Sequence, residues 1–161
     1  QAQVHQVELF GTNNFSFTLG FTVSAGGISD VDGDGIPDWW ELQFFGGATN
    51  AQTGIDNDGD GVNNWNEYVA GTSPTNINEF FEVVQTANST GITLWFPTAT
   101  QRQYRVWYVN HSVMATNWTA TPATIEGTGG TVQWTDDGSA TVPHPNQVTN
   151  RYYKIDVELT P

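Results

Sequence analysis

Two acidic segments of this chain repeat each other at an offset of 26 residues. The first, 30–41, reads Asp-Val-Asp-Gly-Asp-Gly-Ile-Pro-Asp-Trp-Trp-Glu, and the second, 56–67, reads Asp-Asn-Asp-Gly-Asp-Gly-Val-Asn-Asn-Trp-Asn-Glu. Carboxylates at alternate positions of a tight loop repel one another unless a cation lies between them. The repeat therefore restricts this part of the chain to folds that gather oxygen atoms around one point in each copy.

The spacing of these oxygens matches what a calcium ion requires. Calcium takes about six to eight oxygen ligands, and a loop of about twelve residues supplies them from positions 1, 3, 5, 7, 9 and 12. Zinc would need His or Cys, which both loops lack, and magnesium would need a smaller octahedral site. We expect two calcium ions. The predicted ligands are Asp30, Asp32, Asp34, the Ile36 carbonyl, Asp38 and Glu41 for one ion, and Asp56, Asp58, Asp60, the Val62 carbonyl, Asn64 and Glu67 for the other.

The alternative interpretation is a pair of solvated Asp-Gly turns without metal. The recurrence of the whole pattern in one register argues against it. The chain has 17 acidic and 4 basic side chains, a formal net charge of -13, and nine of the acidic residues lie in these two segments. The acidity of the protein is therefore explained mainly as a set of metal ligands.

The loop pair resembles the thrombospondin type 3 and dockerin-like calcium repeats of secreted bacterial proteins. In these repeats Asp-x-Asp-Gly-Asp-Gly-Ile-Pro-Asp-Trp-Trp-Glu and Asp-Gly-Asp-Gly-Val-x-Asn-x-x-Glu-Tyr-x-Ala-Gly-Thr-x-Pro recur, as they do here over 30–74. An EF-hand pair fits less well, because 24–29 and 51–55, just before the loops, are poor helix formers. The resemblance implies extracellular calcium binding and a structural role without catalysis.

Each loop is predicted to run into a short helix. Pro37 suits a first helical position, and Gly46 and Gly47 end the run. Trp39, Leu42 and Phe45 are spaced to share one buried face, and Trp65, Tyr68 and Val69 repeat this arrangement after the second loop. The alternative is that Trp39 or Trp40 forms an exposed contact.

The rest of the chain has the pattern of antiparallel strands. Apolar residues alternate with small or polar ones over 15–23, and further strands are predicted at 80–85, 92–96, 103–110, 130–135 and 152–159. We predict a mainly β fold: an antiparallel sandwich resembling immunoglobulin or fibronectin type III domains, with the pair of calcium loops inserted. The expected divisions are an N-terminal strand segment (1–29), a loop unit (30–78) and a sandwich (79–161).

The N-terminal strand has two possible places. The sandwich has five or six predicted strands, fewer than the usual seven or so. The strand at 15–23 either completes the sheet of its own chain or is donated to a neighbour by β-strand addition.

The charge of the chain and the motifs it lacks exclude several classes of function. Four cations cannot form the basic surface that nucleic acid needs, and no run is apolar enough for membrane insertion.

No catalytic motif is recognisable, so we do not expect an enzyme. We expect a secreted, extracellular calcium-binding structural or adhesive protein, a self-assembling subunit of a filament or surface layer at the cell surface. The alternative is a non-catalytic carbohydrate-binding module of a secreted polysaccharide-degrading enzyme, in which exposed aromatic rings stack on sugars: Trp107, Trp118, Trp134 and Tyr152. Asn14, Asn88, Asn110 and Asn117 each begin a possible glycosylation triplet.

Overall fold

The computed structural model describes the backbone of 9–11 and 15–17 and all of 29–112 and 114–160. Within these residues the chain is mainly β, with antiparallel strands and two short helices. It divides into two compact units. The β unit comprises Gln1–Thr22 with Glu82–Thr160, and the loop unit comprises Val23–Phe81.

Two antiparallel sheets form the described body of the β unit. The first has the order β3 (Val84–Asn88), β4 (Gly91–Pro97) and β8 (Thr131–Asp136). In the second, β5 (Arg102–Asn110) pairs along its whole length with β9 (Arg151–Leu159), and its other edge pairs with the short strands β6 (Thr119–Ala120) and β7 (Ile125–Glu126). A 3-10 turn at Pro145–Gln147 precedes β9.

The core of the β unit follows the period-two alternation of its strands. In β9, Tyr153, Ile155 and Val157 are buried, whereas the residues between them are partly exposed. The rings of Phe96 and Tyr104, one from each sheet, have centroids 5.8 Å apart. The two sheets therefore share one apolar interior, which confirms the prediction of a mainly β, sandwich-like fold.

The strand boundaries differ from the predictions at two places. The strand predicted at 80–85 begins only at Val84, although Phe81 and Val83 before it are buried. The strands β6 and β7 were not predicted, because a strand of two residues is too short to show alternation.

A buried ion pair links the two sheets. Asp136, at the end of β8, is fully buried, and its Oδ2 accepts hydrogen bonds from Arg151 Nη1 at 2.8 Å and from the Tyr153 hydroxyl at 2.5 Å. Its Oδ1 accepts from the Thr141 hydroxyl. The sequence predicts a turn at 136–138. The turn itself forms at Asp137 and Gly138, while Asp136 belongs to the strand.

A hairpin of β1 (Leu9–Gly11) and β2 (Phe15–Phe17) is the described part of the N-terminal segment. Cα atoms of β2 come within 8 Å of Cα atoms of β9 in the same chain. The strands β1 and β2 form a two-stranded sheet of their own. The rest of the strand predicted at 15–23 lies outside the described residues.

Two helices follow the acidic loops in the loop unit: α1 (Asp38–Phe45) and α2 (Asn64–Ala70). Both end at a glycine in the left-handed conformation, Gly46 with φ 72° and Gly71 with φ 76°. The Asn63 side chain caps α2 by accepting a hydrogen bond from the Asn66 amide at 3.0 Å. No helix among the described residues combines the length and the apolar character needed to cross a bilayer.

The predicted buried face of α1 is wrong. Trp39 and Leu42 are 49% and 55% exposed, whereas Trp40 and Glu41 are buried. Glu41 points inward to close the acidic loop, and Trp40, about 100° away around the helix, turns inward with it. The Trp40 ring packs against the Tyr68 ring of α2 with centroids 5.9 Å apart.

Candidate metal centre

Each acidic loop gathers three aspartates around one point. Asp30, Asp32 and Asp34 present carboxylate oxygens that all lie within 4.8 Å of one another, and Asp56, Asp58 and Asp60 do the same in the second loop. The structure therefore brings together the first three predicted ligands in both copies.

The first aspartate of each loop shapes the turn. Asp30 accepts hydrogen bonds from the Gly33 amide at 2.8 Å and the Gly35 amide at 3.0 Å. Asp56 accepts the equivalent bonds from Gly59 and Gly61, at 2.7 and 2.8 Å. Gly35 and Gly61 share a φ of 96°, in a region that side chains with a Cβ rarely adopt. The repeated glycine is thus required by the backbone geometry that aims the carboxylates.

The third aspartate is fixed from one side only. Asp34 Oδ1 accepts from the Ile36 amide at 2.9 Å, and Asp60 Oδ1 accepts from the Val62 amide at 2.7 Å. The second oxygen of Asp60, like Oδ2 of Asp58, is buried without a hydrogen-bond partner. Ile36 and Val62 are themselves buried. Coordination by their carbonyl groups stays a prediction.

The closing glutamates are the most informative residues of the site. Helices α1 and α2 place Glu41 and Glu67 in the interior of the loop unit, both with 0% exposure. Oε2 of Glu41 and both side-chain oxygens of Glu67 have no hydrogen-bond partner. Buried carboxylate oxygens without partners are costly unless a nearby positive charge offsets them. Neither glutamate is part of the three-aspartate cluster of its loop.

Both closing glutamates lie in a negative electrostatic environment. Burial, followed by the charges of Asp58, Asp60 and Asp56, raises the pKa of Glu67 to about 8. Burial, with Asp32, Asp34 and Asp38 nearby, also raises the pKa of Glu41. Both glutamates therefore lie in the negative field of their own aspartate cluster. A cation at the cluster would reverse these shifts.

The ninth-position residues hold the start of each loop. Asp38 accepts hydrogen bonds from the Val31 amide at 2.8 Å and the Ser29 hydroxyl at 2.5 Å. Asn64 donates its amide hydrogens to the Gln52 carbonyl at 2.8 Å and to Asn57 Oδ1 at 3.0 Å. The Asp38 carboxylate does not join the three-aspartate cluster of its loop. Direct ligation by Asp38 and Asn64 stays a prediction.

Two tertiary contacts to the first loop and its helix have no signal in the sequence. The Ala51 amide, just before the second loop, donates to Glu41 Oε1 at 2.8 Å. The Trp65 ring of α2 lies against Gly35 so closely that a Cβ built there would be 2.7 Å from its Cζ3. These pairs are separated by 10 and 30 residues, and no spacing rule predicts them.

Comparison of this chain with protein-family models, with curated proteins and with solved structures gives no match. The functional interpretation of the two loops therefore depends on their own geometry and chemistry.

Proposed function

We propose that this is a secreted calcium-binding structural or adhesive protein whose loop unit binds two calcium ions and has no catalytic role. One observation carries the proposal. In each loop a glutamate with no exposed surface keeps unpaired oxygen in the negative field of three clustered aspartates, although its oxygens are not part of the cluster itself. All the side-chain donors at these clusters are oxygen atoms.

Calcium is the cation that suits this donor set best. An all-oxygen site selects hard cations and disfavours zinc. Magnesium holds several water molecules in a rigid octahedron of about six ligands, whereas calcium accepts a carboxylate through both oxygens in a larger shell. Glu67, with two unpaired oxygens, is suited to that second mode of binding.

The ions would stabilise the loop unit. Residues 23–81 contain ten acidic side chains and no Lys or Arg, so no internal cation offsets their repulsion. Binding to the folded state alone adds about 2.7 kcal/mol per site when free calcium is about 100-fold above Kd. We infer that the loop unit folds stably only with calcium.

Thermal unfolding with and without a chelator tests this role. Removing calcium should lower the melting temperature of the loop unit, and Glu67→Gln should reduce the effect because it removes a charged ligand. Glu82→Gln is the control, since Glu82 is exposed and is not among the charges that act on Glu67. An unchanged melting curve after chelation would contradict a structural role for calcium.

Assembly by strand donation is the second part of the proposal. In one chain β2 lies near β9, whose described pairing is with β5 alone. We propose that in a filament the N-terminal strand of a neighbouring copy takes this place, completing an immunoglobulin-like sandwich by exchange of identical segments.

A truncation tests the donated strand. A variant lacking 1–23 should keep calcium binding and lose polymerisation, and a synthetic peptide of 15–23 should bind to it. Should the truncated protein unfold, while the full chain stays monomeric at high concentration in calcium, the strand belongs to its own sheet and the assembly proposal fails.

Polysaccharide binding is the second candidate function. Trp107 and Trp118 are both half-buried and flank Lys154, whose Nζ lies 4.8 and 5.7 Å from their ring centroids. Trp134 instead packs on Tyr153, with centroids 5.8 Å apart. Stacked indoles are a common sugar-binding element, but here Lys154 already contacts both rings. If this candidate is correct, a polysaccharide gel should retard the unaltered protein more than the Trp118→Ala variant.

A further inference from the structure

The two acidic loops differ at the residue that closes them. Glu41 Oε1 accepts a hydrogen bond from the buried Ala51 amide at 2.8 Å, which leaves only Oε2 unpaired. At the equivalent position of the second loop, both oxygens of Glu67 are unpaired. The two copies therefore share a glutamate at the twelfth position but differ in the number of its oxygens that are unpaired.

The difference comes from the path of the chain after each helix. After α1 the chain returns through 46–50 and brings the Ala51 amide to Glu41. The residue in the corresponding place after α2 is Ile77, which is 52% exposed. Among the described residues no amide donates to the Glu67 carboxylate.

We propose that the second loop is the tighter and more calcium-selective site, closing on both oxygens of Glu67, while the first closes on one oxygen of Glu41. This inference rests on the proposed calcium function. A carboxylate oxygen can accept a hydrogen bond and bind an ion at once, as the oxygens of Asp30 and Asp56 would. The Ala51 hydrogen bond nevertheless fixes the direction in which Glu41 Oε1 points, and turning that oxygen toward the ion would weaken the bond, whereas neither oxygen of Glu67 is held in this way. The first loop therefore keeps one fewer protein ligand and retains a water in its place.

The neighbouring aspartates support the same order. Asp58 and Asp60 in the second loop each have a buried oxygen without a partner. Charge alone would favour the first loop, which has Asp38 where the second has Asn64. Both oxygens of Asp38 already accept hydrogen bonds, from Val31 and Ser29. These bonds hold Asp38 at the start of the first loop, outside the three-aspartate cluster.

The preference of each loop for calcium over magnesium depends on how many protein oxygens bind the ion. A smaller shell with one carboxylate oxygen and a water is closer to what magnesium accepts, whereas a glutamate bound through both oxygens is specific to calcium. We therefore expect magnesium to compete at the first loop and hardly at the second.

Calorimetric titration of the decalcified protein with calcium tests the proposal. We expect two affinities that differ by about tenfold or more. Glu67→Gln should remove the tighter site and Glu41→Gln the weaker, and millimolar magnesium should weaken only the weaker one. Two equal affinities, or loss of the tighter site in Glu41→Gln, would overturn the inference. Absence of calcium binding in the unaltered protein would instead refute the proposed function.

A measurement on the unaltered chain avoids any dependence on how the variants fold. Europium(III) replaces calcium at oxygen sites, and its luminescence lifetimes in H2O and D2O count the waters bound to it. The first equivalent, in the second loop, should have one fewer water than the second equivalent. Equal counts, or more waters on the first equivalent, would overturn the inference.

Discussion

Gly35 and Gly61 show at the residue scale how one repeat supports two different packing arrangements. Both occupy the sixth position of their loop with the same φ of 96°. A Cβ at Gly35 would meet the Trp65 ring at 2.7 Å, whereas a Cβ at Gly61 would have nothing within 4 Å. Comparing the same substitution at Gly35 and at Gly61 therefore distinguishes the cost of backbone strain from the cost of a steric clash.

Gly35→Ala should destabilise the loop unit more than Gly61→Ala. Both variants incur the strain of a Cβ at positive φ, but only Gly35→Ala also displaces an indole, and overpacking costs about 1–3 kcal/mol. Chemical denaturation in saturating calcium, followed by tryptophan fluorescence, measures both free energies of unfolding. Equal losses in the two variants would mean that Trp65 does not pack on the first loop.

Asp156 in the β unit predicts a pH dependence of stability. Burial raises its pKa from an ordinary 3.8 to about 6, although Lys154 lies 3.7 Å away and lowers it. The folded state therefore binds more protons than the unfolded state between about pH 4 and pH 6. Its contribution to the free energy of unfolding falls as the pH rises through this range and is constant above it.

Asp156→Asn should remove that fall. At pH 7 we expect the variant to be more stable than the unaltered protein by about 1 kcal/mol, a value discounted for the partial exposure of the group. At pH 4 the two should be alike. Urea denaturation at several pH values gives the difference, with the exposed Glu158→Gln on the same strand as control. A difference that does not change with pH would contradict the raised pKa.

At the scale of elements, a buried ion pair joins β8 to β9. The side chains of Asp136 and Arg151 are 0% and 1% exposed, and their oxygen and nitrogen are 2.8 Å apart. Lys154 and Asp156 form a looser pair at 3.7 Å, with side chains 13% and 17% exposed. Both pairs include a basic residue of β9, but the Asp136–Arg151 pair is more completely shielded from water.

Arg151→Met should therefore cost far more than Lys154→Met. Removing one partner of a fully buried pair leaves an uncompensated charge and typically costs about 3–5 kcal/mol. Loss of Lys154 should cost less, because its pair with Asp156 is longer and less buried. Thermal or urea unfolding of the β unit measures both losses. Comparable losses would show that Asp136 is satisfied without Arg151.

The sequence predicts elements well where a long periodic pattern meets a single core. The alternation of 152–159 predicts one shared face for Tyr153, Ile155, Val157 and Leu159. The first three are buried, and Leu159, at the end of the strand, is partly exposed. Prediction fails for α1, where the requirement to turn Glu41 inward overrides the spacing of Trp39 and Leu42. It also fails for β6 and β7, which are defined by pairing with β5 and not by their own sequence.

In the candidate site, too, the local features were predictable from the sequence and the tertiary contacts were not. The three aspartates of each loop come together as their spacing predicts, because those positions are fixed by local turns. The different states of Glu41 and Glu67 depend on a contact from Ala51, which belongs to tertiary structure. Local chemistry was therefore predictable, and the asymmetry between the loops was not.

Charge is divided between the two units at the scale of the whole molecule. All four Lys and Arg residues lie in the β unit, and the loop unit has none. The β unit has two sheets with a shared core, whereas much of the loop unit consists of acidic turns and two short helices. We infer that the β unit is stable by itself and that the loop unit depends on its ions.

Native mass spectrometry of the decalcified protein, titrated with calcium, tests most directly whether the two loops each bind one ion. We predict that the mass increases by two calcium ions and then stops, and that a variant with Asp30→Asn and Glu41→Gln binds only one. A protein that binds no calcium, or only one ion with both loops intact, would contradict the paired site.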